Sequence, residues 1–169
     1  MEMIITTNDL ELLEEEVVLP PKKAAEHYYR NLQQQKKSWS PISNCWTVEV
    51  SVMFPRSHTQ ELGVASTICK NCPAMPECLH MALVKKEEYG VWGGYSSRQI
   101  EKIIKEINSE FGDIWLYWNE NSNEIILNKV KELISEYNIK FNINTKEIDV
   151  LKLERKSTLQ ERLSELKLQ

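Results

Sequence analysis

Four cysteines constrain this chain more than any other feature. All of them lie between Cys45 and Cys78, in the pattern Cys45-x23-Cys69-x2-Cys72-x5-Cys78, within a sequence of 169 residues. A C-x2-C turn aims two thiolates at one point, which suits a structural zinc ion. Four thiolates can also take one iron each of a [4Fe–4S] cube. Disulfides are the third possibility, since the number is even, although a reducing compartment would open them. Spacing alone leaves zinc, cluster and disulfide open. Local context favours ligand chemistry. Cys72 precedes Pro73 near the start of a predicted helix, and Cys78 falls in its first turns, where the helix dipole lowers a thiol's pKa. Cys69 would end the preceding helix, and Cys45 must fold back across 23 residues. Metal binding at such a point ties separate segments together and couples to folding.

Composition bounds the setting. Hydrophobic residues at 41% and charged residues at 27% argue against a wholly disordered chain. No apolar run approaches the roughly 20 residues a membrane span needs. The opening stretch MEMIITTNDLELLEEE is acidic and lacks the basic-then-apolar order of a secretion signal, so the expected location is the cytoplasm. Charge is uneven along the chain. Residues 1–19 carry six acids and no base, residues 20–44 five bases and one acid, and residues 95–169 twelve bases and thirteen acids. No segment has the dense Lys/Arg run of a duplex-DNA footprint, so DNA contact is only weakly supported.

The apolar spacing predicts a mainly α protein. Leu10, Leu13 and Val17 mark a short acidic helix over Thr7–Val18. Pro21 opens a second helix with Ala24, Ala25, Tyr28, Tyr29 and Leu32 on its apolar face. Residues 46–62 show little helical period, and Phe54–Pro55 is expected as an extended dipeptide. Thr59–Lys70 reads as a helix with Leu62, Ala65 and Ile68 on one side. A further helix starts at Pro76, buries Leu79, Ala82 and Leu83, and is expected to end near Tyr89 with Gly90 as its left-handed cap. Gly90-Val-Trp-Gly-Gly94 is a tight turn or hairpin. Ser96 and Gln99 form a capping box for a helix striped by Ile100, Ile103, Ile104 and Ile107, which Gly112 breaks. Beyond it, Asp113 caps a short aromatic helix, and Ser122 or Asn123 caps Glu124–Tyr137. Ile139–Ile143 alternates like a short strand. Thr145 starts a helix through Leu153, and Ser157 with Gln160 caps another bearing Leu159, Leu163 and Leu166.

Each candidate has a plain structural reading beside the functional one. Trp92 in its glycine-rich turn is a core plug or an exposed anchor for a partner. Phe54 and Pro55 are core or interface. His80 is not expected to be a ligand, because four cysteines already fill a site, and His27 and His58 read as surface. Trp115 and Trp118 read as a small core rather than a base-stacking platform. Glu124–Leu153 only faintly suggests helix-turn-helix spacing.

Residues Trp39 to about Arg98 resemble the WhiB-like (Wbl) family of actinobacteria and their phages. The resemblance rests on Trp39-x5-Cys45, Met53-Phe54-Pro55, Cys69-Lys-Asn-Cys72-Pro73-Ala-Met-Pro-Glu77-Cys78-Leu79-His-Met-Ala82-Leu83 and Gly90-Val91-Trp92-Gly93-Gly94. It covers about 60 of the 169 residues. It implies a [4Fe–4S] cluster on Cys45, Cys69, Cys72 and Cys78, in a small helical domain wrapped around it. It also implies a regulator of transcription rather than an enzyme. Such a protein binds the C-terminal domain of the primary sigma factor through Trp92 and its turn, with Gly90, Gly93, Gly94, Phe54 and Pro55 at that surface, and responds to redox state or nitric oxide. The chain then divides into an N-terminal helical extension (1–38), the Wbl-type iron–sulfur domain (39–109) and a C-terminal helical extension (110–169). Three features depart from the family: Glu49-Val50 stands where an acidic-Pro pair is usual, no basic tail follows the turn helix, and the C-terminal extension has no family counterpart. Two alternatives stand beside this reading: a structural zinc adaptor, and a thiol–disulfide oxidoreductase using Cys69 and Cys72. The latter motif lacks its usual βαβ context here.

Overall fold

A computed structural model describes residues 21–56 and 59–167. The expected Thr7–Val18 helix and His58 lie outside the described residues. The rest is mainly α, as the periodicity predicts. In chain order the helices are α1 (Pro21–Trp39), a 3-10 turn (Ser40–Ile42), α2 (Val50–Met53), α3 (Thr59–Ile68), α4 (Met75–Lys85), α5 (Ser97–Phe111), α6 (Glu120–Lys140) and α7 (Thr145–Lys167). Between α4 and α5 lies a two-stranded antiparallel hairpin, β1 (Val91–Trp92) and β2 (Tyr95–Ser96), with Trp92 paired to Tyr95.

Helix α4 is the hub. Its Leu79, Ala82 and Leu83 are completely buried. They share one core with Ile100, Ile103 and Ile107 of α5, Ile126, Val130 and Leu133 of α6, and the Trp115/Trp118 pair. The predicted apolar face of α1, from Ala24 to Leu32, packs against the same core. The core therefore runs across residue 110, from the cysteine motif into the C-terminal helices. A second, smaller cluster gathers Met53, Ala65, Cys69, Met75, Val91 and Tyr137 between α2, α3, the hairpin and α6. The Ser96–Gln99 capping box forms as expected: Gln99 N donates to Ser96 Oγ at 3.4 Å and Ser96 N to Gln99 Oε1 at 2.8 Å.

Six local expectations are corrected. Residues 50–53 form a short helix, and Phe54 closes it at φ −120°, ψ 59° rather than in the extended form. Helix α4 stops at Lys85, and Lys86, at φ 59°, takes the left-handed cap expected of Gly90. The reason is tertiary. Trp115 Nε1 donates to the carbonyls of Leu83 and Val84, both at 3.1 Å, so the end carbonyls keep partners: Leu83 O also accepts from Lys86 N, and Val84 O takes the indole. Trp115 and Trp118 lie in turns rather than a helix, though both are buried as a small core. The cap of α6 is Asn119, three residues earlier than expected, with Ser122 as its capping-box partner. Residues 139–143 form no strand, because Ile139 and Lys140 complete the last turn of α6. Likewise α7 runs unbroken through Ser157, and its Leu163 and Leu166 stay 50% and 67% exposed rather than packing within the chain.

Candidate metal centre

The four cysteines arrive from three kinds of backbone. Cys45 sits in the irregular segment after the 3-10 turn. Cys69 follows α3 directly. There the chain reverses: Cys72 N donates to Cys69 O at 3.1 Å, and Asn71 takes the left-handed conformation at φ 58°, which Asn tolerates better than most residues. Pro73 and Ala74 then lead into α4, which carries Cys78 in its first turns.

All four thiols line one cavity of about 260 Å³. Its wall also includes Asn44, Met53, Phe54, Ile68, Met75, Trp92 and Gly93. Among the described residues, no three His, Cys, Asp or Glu side chains close on a point as a single-ion site. The four sulfurs share the wall of one space. A zinc ion would sit about 2.3 Å from each thiolate.

Backbone amides serve the sulfurs. Asn44 N donates to Cys72 Sγ at 3.4 Å, and the Ala74 N–H also faces Cys72. The two glycines of the hairpin turn complete the set: the Gly94 N–H faces Cys69 and the Gly93 N–H faces Cys78. Ser43 Oγ lies 3.4 Å from Cys45 Sγ. Burial nevertheless pushes the Cys69 thiol up to about 12, with the neighbouring Cys72 and Cys45 adding to the rise against the Gly94 N–H. Cys72 and Cys78 are raised for the same first reason, loss of water. Thiols held neutral by burial are poor nucleophiles, unlike the low-pKa cysteine of a disulfide oxidoreductase. Four soft sulfur donors, amide hydrogens aimed at them and a partly enclosed, largely apolar space fit a thiolate-held polynuclear group.

The hairpin that touches the sulfurs also holds Trp92. Gly93 lies against α4, where a Cβ would stand 2.8 Å from Leu79 Cβ. Gly94 lies against the Tyr137 ring, and its carbonyl accepts from Ser66 Oγ at 2.9 Å. Tyr137 OH in turn donates to Ser66 O at 2.9 Å, so α3, α6 and the hairpin share one polar node. Trp92 is half-buried. Its indole N–H donates to Tyr89 O at 2.7 Å, and its ring meets Phe54 edge-on at 5.8 Å and 88°. Gly90 sits against that same Phe54 ring, and Pro55 next to it is half-buried. The Lys36 ammonium lies 5.8 Å from the Trp92 ring centre. Beside Trp92, Phe54, Tyr89 and Val50 are 42%, 72% and 73% exposed, so the half-buried indole borders open apolar surface.

His80 bonds Asn123 Oδ1 at 2.9 Å, with Tyr28 OH donating to the same oxygen at 2.8 Å. It stands apart from the sulfurs, and burial lowers its pKa. Two contributors to the site carry no motif signal. Asn44 joins the Cys45 loop to the Cys69 turn: its Nδ2 donates to Ile68 O at 2.9 Å and Lys70 O at 2.7 Å. Arg155 reaches the same loop from α7. Asn44 could be suspected from its place beside Cys45. Nothing local marks Arg155.

Comparison with known proteins returns a consistent answer. A family model described as "Transcription factor WhiB" matches residues 39–103. The "Transcriptional regulator WhiB4" of Mycobacterium tuberculosis is 38% identical over 69 residues, covering 41% of this chain and 57% of that protein. The "Redox-responsive transcriptional regulator WhiB3" of Mycolicibacterium smegmatis is 32% identical over 73 residues, covering 40% and 76%. The "Transcriptional regulator WhiB2" of M. tuberculosis is 32% identical over 71 residues, covering 41% and 76%. The chain thus spans little more than half the length of WhiB4. No solved structure gives a significant match. Among the described residues no helix is long and apolar enough to cross a membrane.

Proposed function

The chain belongs to the WhiB family of transcriptional regulators, and from that premise we propose that it is a cytoplasmic [4Fe–4S] regulator that binds the C-terminal domain of the primary sigma factor. Cys45, Cys69, Cys72 and Cys78 would hold the cluster, which supplies iron–sulfur bonds sensitive to oxidation and to nitric oxide. The observation that carries the reading is the shared wall of one cavity: four thiols, Trp92 and Gly93.

The chain's own part is to connect ligand state to surface. Ligated thiolates tie the Cys45 loop, the end of α3 and the start of α4 to one point. The Gly93 and Gly94 amides face the Cys78 and Cys69 sulfurs, and Trp92 is the neighbouring residue. Thiolates freed from the group can move away from this turn, which loosens the pose of Trp92 and Phe54. A solvent-bordering aromatic held by a rigid turn is suited to be a binding anchor. Residues 95–169 carry twelve bases against thirteen acids, so this reading assigns affinity to the sigma domain and gives DNA no more than a secondary part. One cavity lined by all four thiols suits the cluster better than a zinc adaptor, and the raised pKa of Cys69, Cys72 and Cys78 disfavours the oxidoreductase.

Capture of the loaded protein by an immobilised sigma C-terminal domain tests the partner. Trp92→Ala should weaken binding by at least about tenfold, the scale of an aromatic anchor, while keeping the visible spectrum of the wild type. Equal binding by both proteins would remove Trp92 from the interface.

A further inference from the structure

We propose that Arg155 is a positioning residue for the cysteine centre: through Asn44 it fastens the C-terminal helix to the loops that carry the ligands, so that helix and centre stabilise each other. This inference rests on the iron–sulfur reading above. Helix α7 has no buried residue. Its half-covered positions are Ile148, Leu151, Lys152, Arg155 and Leu159, a single stripe at helical spacing with two cations at its middle. Both cations reach the cysteine motif. Lys152 Nζ lies 3.4 Å from Glu77 Oε1, one residue before Cys78. Arg155 Nη1 donates to Ile42 O at 2.8 Å and to Asn44 Oδ1 at 2.6 Å.

The second of these bonds orients the Asn44 amide. With its oxygen held by a guanidinium, Nδ2 must face the Ile68 and Lys70 carbonyls, which flank Cys69, while the Asn44 backbone N–H reaches Cys72 Sγ. One asparagine thereby connects the backbones next to three of the four cysteines, and Arg155 sets its orientation. A helix held chiefly by polar bonds to the ligand loops depends on those loops being ordered. By linkage, whatever orders the loops must retain the helix, and the helix must help retain what orders the loops.

Full-length protein prepared without oxygen tests this. Hydrogen exchange over residues 145–167 should be at least about fivefold faster after the metal is stripped by chelator than before, the lower end of ordinary coupling. Loaded Arg155→Gln should bleach in air at least about fivefold faster than wild type, and its reduction potential should move to more negative values because a cation leaves Asn44, whose backbone N–H reaches Cys72 Sγ. Arg155→Lys, which keeps the charge, should restore the potential and part of the lifetime, which a merely structural role would not do. Loaded wild type with equal exchange before and after stripping, or R155Q with wild-type lifetime and potential, overturns the inference. If R155Q does not accumulate as folded protein, the exchange comparison on wild type decides. Wild type isolated without iron and sulfide instead overturns the iron–sulfur reading itself.

Discussion

Anaerobically isolated Cys78→Ala protein is expected to be colourless, with iron falling from about four per chain to near zero. The effect should be this complete because Cys78 has no substitute. The chain has four cysteines in all, and on the same helix Glu77 pairs with Lys152 while His80 is committed to Asn123. Helix α4 is also fixed in place by Leu79, Ala82 and Leu83, all fully buried, so it cannot slide to offer another donor. The thiol itself is a small, half-buried group, and alanine replaces it with little loss of packing. The variant should therefore unfold in urea where chelator-stripped wild type does, and both below loaded wild type, since metal binding is coupled to folding. Iron retained at the wild-type level in Cys78→Ala would take this residue out of the ligand set.

The second large effect is expected at the hairpin. Gly94→Ala should destabilise the protein by about 2–5 kcal/mol. A left-handed backbone costs an ordinary residue roughly 1–2 kcal/mol, and forcing a methyl into a packed site adds roughly 1–3 kcal/mol. Gly94 stands at φ +85°, and a Cβ there runs into the Tyr137 ring. Moving that ring also disturbs the Tyr137–Ser66 and Ser66–Gly94 bonds. Gly63→Ala is the natural control. Gly63 lies in α3, its φ is ordinary, and nothing stands within 4 Å of an added Cβ. That change should stabilise the helix by about 0.5–1 kcal/mol. Urea midpoints of the two variants measure the contrast. A Gly94→Ala protein as stable as Gly63→Ala would mean the hairpin is not clamped between α3 and α6.

These residues also show what a sequence displays and what it hides. The cysteine turn, the glycine hairpin, Pro21 at a helix start and the Ser96–Gln99 box are local devices, each complete within a few residues, and the structure contains all of them. The hidden features are all settled at long range. The end of α4 depends on Trp115, some 30 residues later, taking its last carbonyls. The strand-like alternation of Ile139–Ile143 yields to a helix whose Tyr137 face is already buried against the hairpin. Ser157 resembles a cap but lies inside α7, whose backbone bonds leave a serine nothing to cap. The site follows the same division. Cys45, Cys69, Cys72, Cys78 and Trp92 stand in a recognisable order, and the structure places them around one cavity. Asn44 and Arg155 are separated by 111 positions, and only their meeting in space reveals a part for the C-terminal helix.

The proposed function stands or falls with a [4Fe–4S] cluster in the cavity between the four cysteines. Metal and sulfide analysis of wild-type protein, purified without oxygen and read with its visible spectrum, decides this. A brown protein with about four irons and four sulfides per chain, bleached by air or nitric oxide, is expected. A colourless protein containing one zinc ion and no sulfide would contradict it.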